Sequence, residues 1–134
     1  MSVVYLDSSA FVKLIAPEPE SDSLRSYLQE QDHWISASLL RAEVLRAALR
    51  SGSPERLAAA RLQLRHVAYV DVTRELMDQC GVLQPPDVRT LDAIHLAAAL
   101  SLEDDLDRLV TYDDRMLRAA AANGVTVASP RPAG

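Results

Sequence analysis

One cysteine, one lysine, one tryptophan and one phenylalanine occur in 134 residues, and each scarcity excludes something. A lone Cys80 has no partner for an internal disulfide, which fits a reducing cytoplasm. There is no Cys-x-x-Cys, and His33, His66 and His95 are scattered, so a zinc site is poorly supported. No apolar run approaches the ~20 residues of a membrane span, so no membrane association is expected. The first residues offer neither a basic region nor a small-residue cleavage site, so no secretory signal is expected. A single Trp and Phe with four Tyr make no evident platform for stacking bases. A net charge of −5 runs against a purely electrostatic nucleic-acid binder. Yet all cations but Lys13 are arginines, the better partners for phosphate, so charge alone decides nothing.

What is present is a globular composition, 49% hydrophobic and 25% charged. The length predicts a single domain, residues 1–128, followed by a flexible tail, residues 129–134. The run VVYL reads as a buried strand ending at Asp7, and Ser8 and Ser9 can cap a short helix that Pro17 and Pro19 stop. A helix over 20–31 and a brief strand over 34–36 follow. Ser38 is expected to cap a helix reaching about Arg50, with Leu39, Leu40, Val44, Ala47 and Ala48 as its apolar stripe. Ser53 and Pro54 open the next helix, to about His66. A strand over 68–72 precedes a helix capped by Thr73 that fades near Gly81. Thr90 is expected to cap a helix over 91–102, and 109–112 forms the fourth strand. Asp113 opens a helix that Gly124 ends, and 125–127 forms an edge strand. Strands alternating with helices predict an α/β domain with a mostly parallel five-stranded sheet between helical layers. Such sheets bind ligands beyond the carboxyl ends of their strands, where the strand order reverses. If strands one and four are neighbours there, Asp7 and Asp113 face one crevice.

Four acids stand out within short signatures: Asp7 in VVYLDSSAFVKL, Glu43 in SLLRAEVLRAAL, Asp92 in RTLDAIHLAAAL and Asp113 in LVTYDDRML. Asp92 is the sharpest. From Leu91 to Leu100 only Asp92 and His95 are polar, and a carboxylate buried in such a helix costs several kcal/mol unless it is paired or coordinates a metal. Its structural alternative is a place in the favourable field of the helix N-terminus. Asp7 and Asp113 have cap roles as alternatives, and Glu43 an ion pair with Arg46 or Arg50. Taken together, four carboxylates at one sheet edge repel one another unless a cation lies between them. Hard oxygen donors suit Mg²⁺ or Mn²⁺, which can generate hydroxide and neutralise charge in phosphoester hydrolysis.

At these motifs the chain resembles the PIN-domain ribonucleases, specifically the VapC toxins of type II toxin–antitoxin (VapBC) pairs. YLDSSAFVKL, RAEVLRA, TLDAIHLA and VTYDDRML carry the resemblance and span residues 3–118. It implies a PIN-like three-layer sandwich and an Mg²⁺- or Mn²⁺-dependent endoribonuclease that hydrolyses RNA with metal-activated water. It implies a VapB-type antitoxin, a homodimer, and a heterotetramer or larger assembly with that antitoxin. Asp7, Glu43, Asp92 and Asp113 match the family's acidic quartet, with Asp7, Asp92 and Asp113 as metal ligands and Glu43 acting through water. Ser9 and Thr111 match hydroxyl positions that orient the acids, and Asp114 is assigned to capping or an outer shell.

Lys13, Arg46, Arg50, Arg89 and Arg115 are the candidate RNA contacts, with solvated faces as the plain alternative. His95 reads as a core or supporting histidine rather than a general base. Two other classes compete with the nuclease. One is a binding-only module on the same fold. The other is a signalling receiver domain, which has the right size but needs an acidic pair before a phosphorylated aspartate after strand three. Here serines follow Asp7, and Asp71 falls within the predicted strand.

Overall fold

A computed structural model describes residues 1–133. Five strands are joined by seven helices: β1 Val3–Leu6, α1 Ser8–Phe11, α2 Ser21–Gln29, β2 His33–Ala37, α3 Leu39–Arg50, α4 Pro54–Leu64, β3 Ala68–Val70, α5 Arg74–Gly81, α6 Thr90–Leu100, β4 Arg108–Val110, α7 Asp114–Ala122 and β5 Val127–Ala128. The sheet order is β3-β2-β1-β4-β5 and every ladder is parallel. The chain thus winds one way from β1 to β3, then returns to β1 and winds the other way through β4 and β5. The reversal lies between β1 and β4, which pair Val4 with Arg108, Tyr5 with Leu109 and Leu6 with Val110. Asp7 and Thr111 each follow the last residue of their strand, side by side at the carboxyl edge of the sheet where the order reverses.

The two helical layers are set by the pleat of β1. Side chains alternate across a strand. Val4 and Leu6 face a core shared with Phe11, Leu24, Leu28, Leu40, Val44 and Leu64 from α1 to α4. Tyr5 faces the other way, into a core with Leu76, Ile94, Leu96, Met116 and Ala120 from α5 to α7. α6 is buried continuously from Ala93 to Ala99, as its apolar run predicts. Its alanines let it approach the sheet closely.

Several caps follow the sequence. Ser53 accepts from Arg56 N–H at 3.2 Å, and Thr73 accepts from Leu76 N–H at 3.1 Å. Gly124 takes φ +72°, the left-handed conformation that ends α7 at little cost. Three caps differ. Ser38 already has helical backbone angles, so its hydroxyl cannot turn back onto α3; it accepts from Val72 N–H at 3.2 Å and ties α3 to the exit of β3. Thr90 is the first residue of α6 rather than its cap. Asp113, not Asp114, caps α7, and Asp114 is an exposed first-turn residue.

The segment after β5 is tied to the body. Ser129 donates to the Thr111 carbonyl, and the Tyr112 hydroxyl donates to the Pro130 carbonyl at 2.6 Å. Arg131 lies over the Tyr112 ring at 5.7 Å. Gly134, the last residue of the expected tail, lies outside the described residues. β3 ends at Val70, so Asp71 stands just beyond it rather than within it. However, β3 is an edge strand with β2 between it and β1. In a receiver domain, strand three is the neighbour of strand one. The topology therefore removes the receiver reading.

Candidate active site

Asp7 anchors the site. It is 3% exposed, and its extended backbone makes it the N-cap of α1. Oδ1 accepts from Ser9 Oγ at 2.7 Å and Ala10 N–H at 3.0 Å, while Oδ2 accepts from the Thr111 hydroxyl. The cap thus fixes the carboxylate at the end of β1. Burial pushes its carboxyl above the usual aspartate range, although the hydrogen bonds from Thr111, Ser9 and Ala10 pull the other way. Ser9 and Thr111 are themselves fixed. Ser9 Oγ accepts from Tyr112 N–H at 3.0 Å, Thr111 Oγ1 accepts from Asp113 N–H at 3.2 Å, and the two hydroxyls stand 3.2 Å apart.

Asp113 comes from the neighbouring strand end. Oδ1 accepts from Arg115 N–H at 2.8 Å and Met116 N–H at 3.1 Å, which caps α7. Asp92 projects from the first turn of α6 and is half-buried. Its carboxyl is raised above the ordinary value, first by desolvation and then by the negative charges of Asp113 and Asp7; His95 and Arg89 partly offset this. Three aspartates from three elements thus share one electrostatic neighbourhood.

Glu43 joins them indirectly. It lies midway along α3, and Oε1 is hydrogen-bonded to His95 Nε2 at 2.6 Å. His95, one turn along from Asp92, is 1% exposed, and its Nδ1 is 2.7 Å from the Tyr5 hydroxyl. Asp7 and Glu43 both act electrostatically on Tyr5. The histidine's supporting position was legible as an alternative, but its partners were not. Nothing in the spacing pairs Tyr5 with a residue 90 positions on.

The donor set is all hard oxygen and mutually repulsive, which is the chemistry that fits Mg²⁺ or Mn²⁺. Among the described residues, no three His, Cys, Asp or Glu side chains already stand together closely enough to hold an ion. Beside Asp92 opens a cleft of about 520 Å³ lined by Arg89, Arg115 and Arg118 together with Asp87. Arg46 and Arg50 are exposed on α3, three and seven residues from Glu43. Lys13 does not fit its role as a phosphate contact. It is 8% exposed, Nζ donates to Glu18 at 2.6 Å and Glu20 at 3.0 Å, and it lies over the Tyr112 ring at 4.8 Å. Its charge is already neutralised within the fold.

The doubly wound parallel sheet, with Asp7 and Asp113 following the paired strands β1 and β4, defines an α/β scaffold of one class. Residues 4–122 match the PIN domain, and the chain belongs to the PIN-domain family, within it to the VapC type. It is 50% identical over 130 residues to Ribonuclease VapC46 of Mycobacterium tuberculosis, covering 97% of this chain and 99% of that one. It is 35% identical to Ribonuclease VapC47 of the same species, covering 96% and 97%. Two solved structures share the fold. Mycobacterium tuberculosis VapC20, described as a Sarcin-Ricin loop cleaving toxin, aligns with TM-score 0.71 at 17% identity, covering 96% and 99%. VapBC2 of Rickettsia felis, solved bound to a DNA fragment from their promoter, aligns with TM-score 0.74 at 16% identity, covering 94% and 97%. Among the described residues no helix is long and apolar enough to cross a membrane.

Proposed function

We propose that this protein is a divalent-metal-dependent endoribonuclease, the toxin of a toxin–antitoxin pair, acting in the cytoplasm. The observation that carries the reading is the placement of Asp7 and Asp113 after the paired strands β1 and β4, where the sheet order reverses, with Asp92 of α6 near enough to feel both charges. Such an arrangement is unfavourable for the protein alone and favourable once a cation is present.

Asp7, Asp92 and Asp113 would hold Mg²⁺ or Mn²⁺, with Glu43 contributing through water. Bound there, the cation supplies a hydroxide nucleophile near neutral pH and neutralises charge on the phosphate. Asp7 is fixed by Ser9, Ala10 and Thr111, so this carboxylate would meet a cation already oriented. Asp113 is held by the first turn of α7. Arg89, Arg115 and Arg118, around the cleft beside Asp92, would grip RNA phosphates on either side of the scissile bond. Arg46 and Arg50 extend the basic surface beyond Glu43, and Asp114 stays outside the ligand set. The VapB-type partner would suppress activity by covering this site, with the toxin forming a homodimer within a larger complex. The resemblance to VapC relatives and the VapBC neighbour support the VapB-type partner.

The test uses antitoxin-free protein and a pool of structured RNAs with Mg²⁺, Mn²⁺ or EDTA, beside Asp7→Ala. Discrete cuts leaving 5′-phosphate and 3′-hydroxyl ends, absent with EDTA and in the variant, are expected. Cuts that persist in Asp7→Ala or with EDTA would overturn the site assignment. Absence of both metal binding and cleavage would favour a binding-only module.

A further inference from the structure

A buried polar chain runs from the centre of the sheet to Glu43 and belongs to none of the aspartates. Tyr5 is 0% exposed, and its hydroxyl meets His95 Nδ1 at 2.7 Å; His95 Nε2 meets Glu43 Oε1 at 2.6 Å. Tyr5 and His95 lie in a packed apolar layer, the ring of one edge-on to the other at 77°. A hydroxyl or imidazole buried there without a partner would be strongly unfavourable, so these polar atoms need their partners. Glu43 is the acid they reach by hydrogen bond.

The direction of the chain follows from the donor inventory. A carboxylate only accepts, so the contact with Glu43 Oε1 needs the ring hydrogen on Nε2. A neutral ring with its hydrogen on Nε2 presents a lone pair at Nδ1, and the Tyr5 hydroxyl is the donor that fills it.

We infer that His95 is a positioning residue for Glu43: Tyr5 selects the Nε2–H tautomer, and that N–H fixes one carboxylate oxygen of Glu43 so that the other is presented to the acidic site. Glu43 needs such a device more than the aspartates do. Asp7 and Asp113 are oriented by backbone N–H groups of the helices they cap. Glu43 lies mid-helix, where every nearby backbone N–H is engaged, and its side chain has an extra rotatable bond. His95 replaces the missing cap. It also stands one turn from Asp92 on the rigid α6, so the tether fixes α3's acid relative to α6's.

The inference rests on the proposed role of Glu43, and its test keeps the two apart. On ¹⁵N-labelled protein at neutral pH, long-range ¹H–¹⁵N correlation reads which ring nitrogen of His95 carries hydrogen. Nε2–H is expected; hydrogen on Nδ1, or on both nitrogens, overturns the relay. Two variants then read function: His95→Gln, whose side-chain amide can donate near the place of Nε2, and His95→Leu, which cannot donate. Each is measured for Mn²⁺ affinity, for kcat and KM at saturating Mn²⁺, and for melting temperature. His95→Leu should lose about 10–100-fold in kcat or Mn²⁺ affinity with KM for RNA little changed, and His95→Gln should recover most of that loss. Undiminished kcat and Mn²⁺ affinity in His95→Leu, or losses in both variants that merely follow melting temperature, would overturn the proposal. If His95→Leu does not fold, the tautomer and the kcat of His95→Gln decide it. If the wild-type protein cleaves no RNA, the ribonuclease reading has failed, while the tautomer and Mn²⁺ affinities still decide the relay.

Discussion

Thr111 donates its hydroxyl hydrogen to Oδ2 of Asp7 across 104 positions of sequence, joining the ends of β4 and β1. The same Thr111 oxygen accepts from Asp113 N–H at 3.2 Å. One fully buried hydroxyl therefore sets the orientation of one acid and the backbone of another.

Thr111→Val keeps the shape and removes both bonds. The hydrogen bond favours the charged form of Asp7, so its loss moves an already raised carboxyl further up. A higher pH is then needed to ionise Asp7, and the acid limb of the pH–rate profile shifts upward. Stability of the metal-free protein should fall by about 1.5–3 kcal/mol, the range for a hydrogen bond to a charged group, read by urea denaturation. An unmoved acid limb would show that Asp7 ionisation does not limit the reaction.

Asp92→Asn should abolish cleavage yet stabilise the metal-free protein. The folded Asp92 carboxyl lies above its ordinary 3.8, so ionising it weakens the fold as pH rises through the raised value. Asparagine carries no such charge. The melting temperature of the variant should exceed wild type at neutral pH, and the gap should close as pH falls toward 3.8 and below. Adding Mn²⁺ should reverse the order, because only the wild type gains linkage, about 2.7 kcal/mol at a hundred times the dissociation constant. Equal Mn²⁺ stabilisation of both proteins would remove Asp92 from the ligand set.

Lys13→Met should destabilise without weakening RNA binding. Its Nζ is held between Glu18 and Glu20, and removal leaves two carboxylates facing each other. These pairs are partly exposed, so a loss of about 1–2 kcal/mol is expected, below the range for fully buried pairs. KM for RNA should stay at the wild-type value. A large rise in KM with stability unchanged would restore Lys13 as a phosphate contact.

Arg115→Ala and Arg118→Ala should weaken RNA binding with little effect on kcat at saturating RNA. Both line the cleft beside Asp92. Each lost phosphate contact should reduce the slope of log affinity against log salt by about 0.7 for single-stranded RNA. Measuring affinity across a salt series, with Arg25→Ala on α2 as control, checks this. Unaltered slopes would mean that RNA takes another path.

The fold was legible where one signal dominated. VVYL followed by Asp7 announced a buried strand and the cap that follows it, and TLDAIHLAAAL announced a buried helix with two polar residues to explain. Caps were less legible, because Ser38, Thr90, Asp113 and Asp114 all have side chains suited to the task and only the backbone angle selects among them. Asp7 read as either a cap or a site residue; the cap uses Oδ1 and Thr111 holds Oδ2, so the two readings do not exclude each other. Lys13 looked like a free cation because its partners Glu18 and Glu20 lie beyond Pro17, where the direction of the chain cannot be read from periodicity. The link from Tyr5 through His95 to Glu43 needs β1, α6 and α3 already in place, and no local pattern encodes it.

The first strand made is the middle strand of the finished sheet. β2 can join it early, but β4 is separated from it by about a hundred residues, and Thr111 and Asp113 arrive later still. Long-range parallel pairing of this kind forms late, after loop closure has been overcome. A nascent chain that stops before Arg108 carries Asp7, Glu43 and Asp92 but has neither the strand beside β1 nor the hydroxyl that orients Asp7. The topology is thus a timer: the acids are translated in instalments, and the set is gathered only when nearly the whole domain exists.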